Sequence, residues 1–219
     1  VSDIIRAGIL PVAIEFMDRM LIGVCEDYSG AGYPECEALL IVEVEGSEAE
    51  IEHQLGLIHE IASRHSPVEF RKARDAQEAG RIWAGRKAAF SAIGKISDYM
   101  CLDGTIPVSK LPFVLKRIGE LSQHYGLAVG NVFHAGDGNM HPLILYDANK
   151  PGDLETCEAF GAEVLKLCVE VGGCLTGEHG VGIEKRDLML DQFAPDDLEM
   201  QMAVKDVFDP KWLLNPAKV

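Results

Sequence analysis

Apolar residues recur along this chain with two periods. A three-to-four spacing runs through Ile14, Met17, Leu21 and Val24, through Ile51, Leu55, Ile58 and Ile61, and through Leu111, Leu115, Ile118 and Leu121. Each set forms the one-sided stripe of an amphipathic helix. Pro11 reads as the opening of the first, Ser47 with Glu50 as a capping box on the second, and Ser109 and Gly126 as the bounds of the third. Asp75 is expected to cap a long helix to about Ile93, ended by Gly94. Asp153 is expected to cap one carrying Leu154, Ala162, Leu165 and Val169 as far as Gly172, and Asp196 a last one reaching Phe208. Residues 184–189 read as one or two helical turns. Strand-like runs occupy residues 38–45, 68–70, 99–105, 127–133 and 142–146. The continuous apolar start of the first suggests the centre of a sheet. This order predicts an α+β fold, an antiparallel sheet with helices on one face. The helix-strand-helix-strand order occurs about twice, which suggests subdomains 1–97 and 98–219. Residues 209–216 read as a loop fixed by two prolines.

The last two strand-like runs flank His134-Ala-Gly-Asp-Gly-Asn-Met-His141. Asp137-Gly138 predicts a two-residue hairpin turn with positive φ at both positions. That turn sets His134 opposite His141, with Cβ atoms roughly 5 Å apart on one face, close enough for two imidazoles to share a metal ion. A second stretch, Gly177-Glu-His-Gly-Val-Gly182, offers a carboxylate and a third imidazole. If the stretches meet, His134, His141 and Glu178 make a three-ligand set that suits a divalent cation such as zinc and leaves a position open for chemistry. Glu178 and His179 are neighbours and would diverge on an extended segment, so Glu178 is assigned to the metal and His179 to proton transfer. The glycine spacing around them is no phosphate loop: it lacks Gly-Lys-Ser/Thr, and its carboxylate would repel phosphate. Arg86 and Lys87 follow Trp83 on a helix. Lys87 reads as a solvated charge, and Arg86 as a guanidinium fork for a substrate carboxylate.

Composition narrows the field. The 219 residues, 47% hydrophobic and 25% charged, suffice for one large domain or two small ones. A formal net charge of −15 excludes a nucleic-acid partner. The six cysteines show no paired spacing and read as free thiols in a reducing, cytoplasmic compartment. No apolar run approaches the roughly 20 residues a membrane helix needs. The opening residues, which lack an initiator Met, read as the middle of a longer protein.

The histidine hairpin, the Glu178-His-Gly-Val-Gly182 segment, Trp83-Ala-Gly-Arg86, Asp103-Gly-Thr-Ile-Pro107 and Leu214-Asn-Pro216 together resemble the C-terminal domain of FAD-linked 2-hydroxyacid oxidases. The resemblance covers essentially the whole chain. It is nearest to the FAD-linked subunit of glycolate oxidase, with D-lactate and D-2-hydroxyglutarate dehydrogenases as more distant kin. It implies two ferredoxin-like halves that cap an FAD held mainly by a separate N-terminal FAD-binding domain. It also implies a divalent metal, usually zinc, on His134, His141 and Glu178, His179 as base, and Arg86 on the substrate carboxylate. Asn139 would lie in the same pocket, and Asn215 is the one position carried over toward the cofactor. Relatives acting on diacids place a lysine in the tract that here reads Tyr99-Met-Cys-Leu102, so a small monoacid such as glycolate or D-lactate is implied. The resemblance further implies a place among other oxidase-complex subunits, peripheral to a membrane. Two other classes use the same residues: a free-standing metal-dependent hydrolase, and a non-catalytic module docking through its acidic surface.

Overall fold

The computed structural model describes residues 1–218. In chain order its elements are α1 (Ser2–Arg6), β1 (Ala13–Asp18), α2 (Arg19–Ser29), β2 (Ala38–Glu43), α3 (Glu48–Ser63), α4 (Ala76–Lys87), α5 (Ala89–Ile93), β3 (Asp98–Cys101), α6 (Leu111–Tyr125), β4 (Val129–His134), β5 (Pro142–Tyr146), α7 (Asp153–Glu170), α8 (Met189–Gln192) and α9 (Pro195–Phe208). The five strands form one antiparallel sheet in the order β2-β1-β4-β5-β3. The sheet runs unbroken from the first half of the chain into the second through the β1–β4 pair.

The α+β class and antiparallel sheet are as expected, but helices cover both faces rather than one. Successive strand residues point to opposite sides. Ile14, Phe133 and Ile144 therefore enter one core with Ile58 and Ile61 of α3, Ile118 of α6 and Phe160 of α7. Met17, Val132 and Leu143 enter another with Leu21 of α2 and Ala89 and Ile93 of α5.

Several local expectations need correction. Residues 11–18 do not continue a helix. The stripe from Ile14 to Val24 spans the junction of β1 and α2, and Asp18 at that junction caps α2 by accepting from Leu21 N at 3.0 Å. β2 is an edge strand, not a central one. Residues 68–70 form no strand. Asp153 is the first residue of α7 rather than its cap, since its carboxylate accepts from Asp147 N and Lys150 Nζ. Ala194 precedes α9, and Asp197 rather than Asp196 reaches back to its N–H. Other punctuation holds. Ser47 and Glu50 form the capping box, Asp75 caps α4, and Gly126 ends α6 at φ 68°.

Candidate metal and proton-transfer site

The histidine hairpin closes two residues away from the expected register. Val129 pairs Ile144, Asn131 pairs Pro142, and His134 bridges Asn139, so residues 135–138 form a four-residue loop. His134 accepts at its carbonyl from Asp137 N and Gly138 N, and of the two turn residues only Gly138 has positive φ, at 72°. Two is the period of a strand, so the shift changes neighbours but not faces. His141, two residues past Asn139, still shares a face with His134, and their ring centroids lie 5.3 Å apart.

The remaining parts are laid alongside this loop. Thr105 bridges Asn139 on one side and Cys174 on the other, which brings the segment after α7 to the end of the sheet. There Asp103, fully buried, accepts from Thr176 Oγ1 at 2.5 Å, Gly177 N at 3.0 Å, Glu178 N at 3.1 Å, His179 N at 2.9 Å and Lys185 Nζ at 3.1 Å. Burial pushes this carboxyl up, but the bonds from Thr176, His179, Glu178 and Lys185 outweigh it and hold the group well below the usual carboxylate range. Folding the 176–179 backbone around one anion turns Glu178 and His179 to the same place, where an extended segment would separate them.

Three imidazoles therefore surround one carboxylate oxygen. Glu178 Oε1 lies 3.1 Å from His141 Nε2, 3.7 Å from His179 Nε2 and 3.8 Å from His134 Nε2. The rings differ in how they are held. His141 Nδ1 lies 3.1 Å from the Leu102 carbonyl, which can only accept, so its proton is on Nδ1 and the Nε2 lone pair faces Glu178. Burial, with the neighbouring imidazoles, pushes the His141 pKa down and keeps the ring neutral, although the Leu102 carbonyl and Glu178 oppose that shift. His134 Nδ1 lies 2.7 Å from Glu15 Oε1. His179, half-exposed, has no hydrogen bond to either ring nitrogen among the described residues; it stacks on His141 at 5.1 Å. Imidazoles fixed through one nitrogen and free at the other are the usual form of metal-binding histidines. The donor atoms of His141, His179, Glu178 and Asp103 all lie within 4.8 Å of one another, a nitrogen and oxygen set that fits a divalent ion; His134 stands outside this group, its Nε2 3.8 Å from Glu178 Oε1.

Asn139 is buried beside the cluster, and its Oδ1 has no partner among the described residues. A Cβ at position 177 would stand 2.5 Å from that atom, so any side chain there would force Asn139 to move. Asn139, Thr105, Asp137, Gly177, His134 and Glu178 line a cavity of about 420 Å³. Cys101 Sγ lies within 4.8 Å of the His141 and His179 nitrogens, and burial, with Asp103 close by, pushes its thiol up to about 12. That side of the cluster therefore presents a neutral group.

Arg86 has a partner within the protein. It is buried, and its Nε and Nη2 both bind Glu15 Oε2, at 3.0 and 2.7 Å. The edge expected to grip a substrate carboxylate is thus occupied by a carboxylate of the protein. Asn215 lies exposed in the tail, at φ 45°, and does not line the imidazole cavity. Lys87 lies 6.0 Å from the Trp83 ring, as expected of an exposed charge. Glu15 escaped the sequence reading, and Asp103 entered it only as the first residue of a motif, with no role assigned. Glu15 had a signal, an acid alone in the apolar run Ala13-Ile-Glu-Phe-Met17.

A separate groove of similar volume lies along the open edge of β2, lined by Leu40, Ile51, Leu55 and Phe70, away from the imidazoles. No helix among the described residues is long and apolar enough to cross a membrane. The six cysteines are all free thiols, three of them buried.

Known proteins resemble this chain over its whole length. The chain is 50% identical over 220 residues to glycolate oxidase subunit GlcD of Escherichia coli (strain K12), with 100% of this chain and 44% of that protein covered. It is 33% identical to glycolate oxidase subunit GlcD of Bacillus subtilis (strain 168), covering 100% and 47%. It is 31% identical to the mitochondrial D-lactate dehydrogenase [cytochrome] of Kluyveromyces lactis, covering 100% and 39%. The chain thus spans about half the length of the curated relatives it matches, or less. The fold is that of a solved p-cresol methylhydroxylase, with a TM-score of 0.64 at 13% identity over 94% of this chain and 46% of the other. The family model described as FAD linked oxidases, C-terminal domain, matches residues 1–219, and the chain belongs to that family.

Proposed function

We propose that this chain is the substrate- and metal-binding part of a flavin-dependent oxidoreductase that converts a small 2-hydroxy acid, of the glycolate or D-lactate type, to the 2-oxo acid. One observation carries this reading: three imidazole Nε2 atoms gather on Glu178 Oε1, two of them with Nδ1 already engaged. His134, His141 and Glu178 would hold the divalent ion, zinc by its donor set. When bound, the ion supplies Lewis acidity at the 2-hydroxyl, and FAD, held mainly by an N-terminal FAD-binding domain, supplies the hydride acceptor. The residues of this chain do the rest. His179, the ring with no fixed partner, takes the hydroxyl proton on Nε2. Asn139 lines the cavity and belongs to the substrate pocket. Gly177 keeps that cavity open at Asn139. Arg86 reaches a substrate carboxylate only with the guanidinium face its Glu15 pair leaves free. The neutral Cys101 offers nothing to a second carboxylate, which favours monoacids. The similarity to GlcD subunits supports a place among other oxidase-complex subunits.

Anaerobic mixing of the full-length protein with a panel of 2-hydroxy acids tests the reading. Bleaching of the flavin by glycolate or D-lactate is expected, slowed about 10²- to 10⁴-fold in His179→Ala, the usual worth of a general base. Bleaching at the wild-type rate in that variant would remove His179 from the chemistry. Hydrolysis of a test ester with no flavin reduction would favour a hydrolase instead.

A further inference from the structure

Glu15 sits on β1 as the Cα partner of His134 on β4, so the two side chains share a face of the sheet. Its carboxylate has two different partners. Oε1 receives His134 Nδ1 at 2.7 Å, and Oε2 receives Arg86 Nε and Nη2 from α4. The Glu15 and Arg86 side chains are only 6% and 7% exposed, so water does not compete for these bonds. A neutral imidazole carries one proton, and the acceptor beside one nitrogen decides which nitrogen holds it. A carboxylate fixed from behind by a guanidinium cannot turn away and cannot donate. In the neutral ring such an acceptor keeps the proton on Nδ1 and turns the Nε2 lone pair toward Glu178.

We infer that Glu15, anchored by Arg86, is a positioning residue for the metal centre, fixing the tautomer and orientation of His134 so that Nε2 is ready to bind a divalent cation. This rests on the reading of His134 as a ligand. The guanidinium cancels the charge of Glu15, so the pair orients the ring without adding net charge to the site. His141 gets the same service from an uncharged acceptor, the Leu102 carbonyl, which no side-chain substitution removes. Glu15 is therefore where the support behind an imidazole can be altered without touching a ligand. The competing explanation is that Glu15–Arg86 merely braces β1 against α4.

The test uses the full-length protein stripped of metal, with zinc and cobalt(II) as probes. Two variants are compared with wild type: Glu15→Gln, and Glu15→Gln combined with Arg86→Gln so that no buried guanidinium is left unpaired. Zinc affinity, read by chelator competition, is expected to fall about 10- to 100-fold in both, the usual effect of losing such a partner. The cobalt(II) ligand-field bands are expected to move. Nitrogen-15 NMR of metal-free wild type should find the His134 proton on Nδ1, which decides the matter even if neither variant folds. Wild-type zinc affinity and an unchanged cobalt spectrum in folded variants, or a proton on Nε2, would overturn the inference. His134→Ala separates the two levels. If it leaves zinc binding intact, the ligand reading falls and this inference with it. If it abolishes binding while the Glu15 variants bind normally, only this inference falls.

Discussion

Asp103 shows how one residue can arrange chemistry it does not perform. Its carboxylate gathers the N–H groups of residues 177–179, the Thr176 hydroxyl and the Lys185 ammonium. Replacing it with Asn leaves Lys185 buried without a counter-charge, and breaking a buried pair this way costs about 3–5 kcal/mol. Urea unfolding should show a loss of that size in Asp103→Asn, together with weaker metal uptake. The hydrogen bonds that outweigh its burial depress the folded-state pKa below the unfolded carboxylate value of about 3.9. The stabilisation is therefore complete above about pH 4 and is lost only as pH falls through the depressed value. The gap between wild type and variant should stay constant from about pH 5 to 8 and shrink below about pH 4. A gap that closes near neutrality would contradict this account. Glu178 and His179 were legible in the sequence because they lie together among glycines. The role of Asp103 was not, because its donors, three backbone N–H groups with the Thr176 hydroxyl and the Lys185 ammonium, lie more than 70 positions away, and no spacing rule carries that information.

At the level of elements, the histidine hairpin was legible as a hairpin but not in its register. Asp137-Gly138 suggested a two-residue turn, whereas the segment at 104–106 fixes a four-residue loop. Ile106 N donates to the Gly138 carbonyl, and Met140 N to that of Gly104. These contacts are tertiary, so the local dipeptide could not reveal them. They also make Gly138 a specific requirement. It sits at φ 72°, and a Cβ there would stand 2.1 Å from the Ile106 carbonyl oxygen. Gly138→Ala should destabilise by about 1–3 kcal/mol, through strain at a left-handed position plus the clash. It should also weaken metal uptake by moving His134 relative to His141, checked by thermal unfolding and zinc titration of the same samples. Unchanged stability would mean that the loop relaxes freely and does not set the ring separation. β1 was misread for a related reason. Its apolar residues fall by chance on a helical stripe with those of α2, and only burial on both faces of a sheet distinguishes the two.

Over the whole molecule, two buried ion pairs support the imidazole cluster. Arg86–Glu15 reaches it from α4 and β1 and touches a side chain. Lys185–Asp103 reaches it from the far end of the sheet and holds a backbone loop. The five-stranded sheet is the common frame, bringing β1, β4, the loop before β5 and the segments at 103–105 and 174–177 side by side. The class of this frame could be anticipated from hydrophobic patterning. Its two-sided helical cover had a signal that went unused: the continuous apolar run Pro142-Leu-Ile-Leu-Tyr146 is the pattern of a strand buried on both faces. Zinc titration of chelator-stripped full-length protein tests the convergence most directly. The account predicts one equivalent bound per chain, and none in His134→Ala combined with His141→Ala. No uptake by the wild type, or undiminished uptake by the double variant, would contradict it.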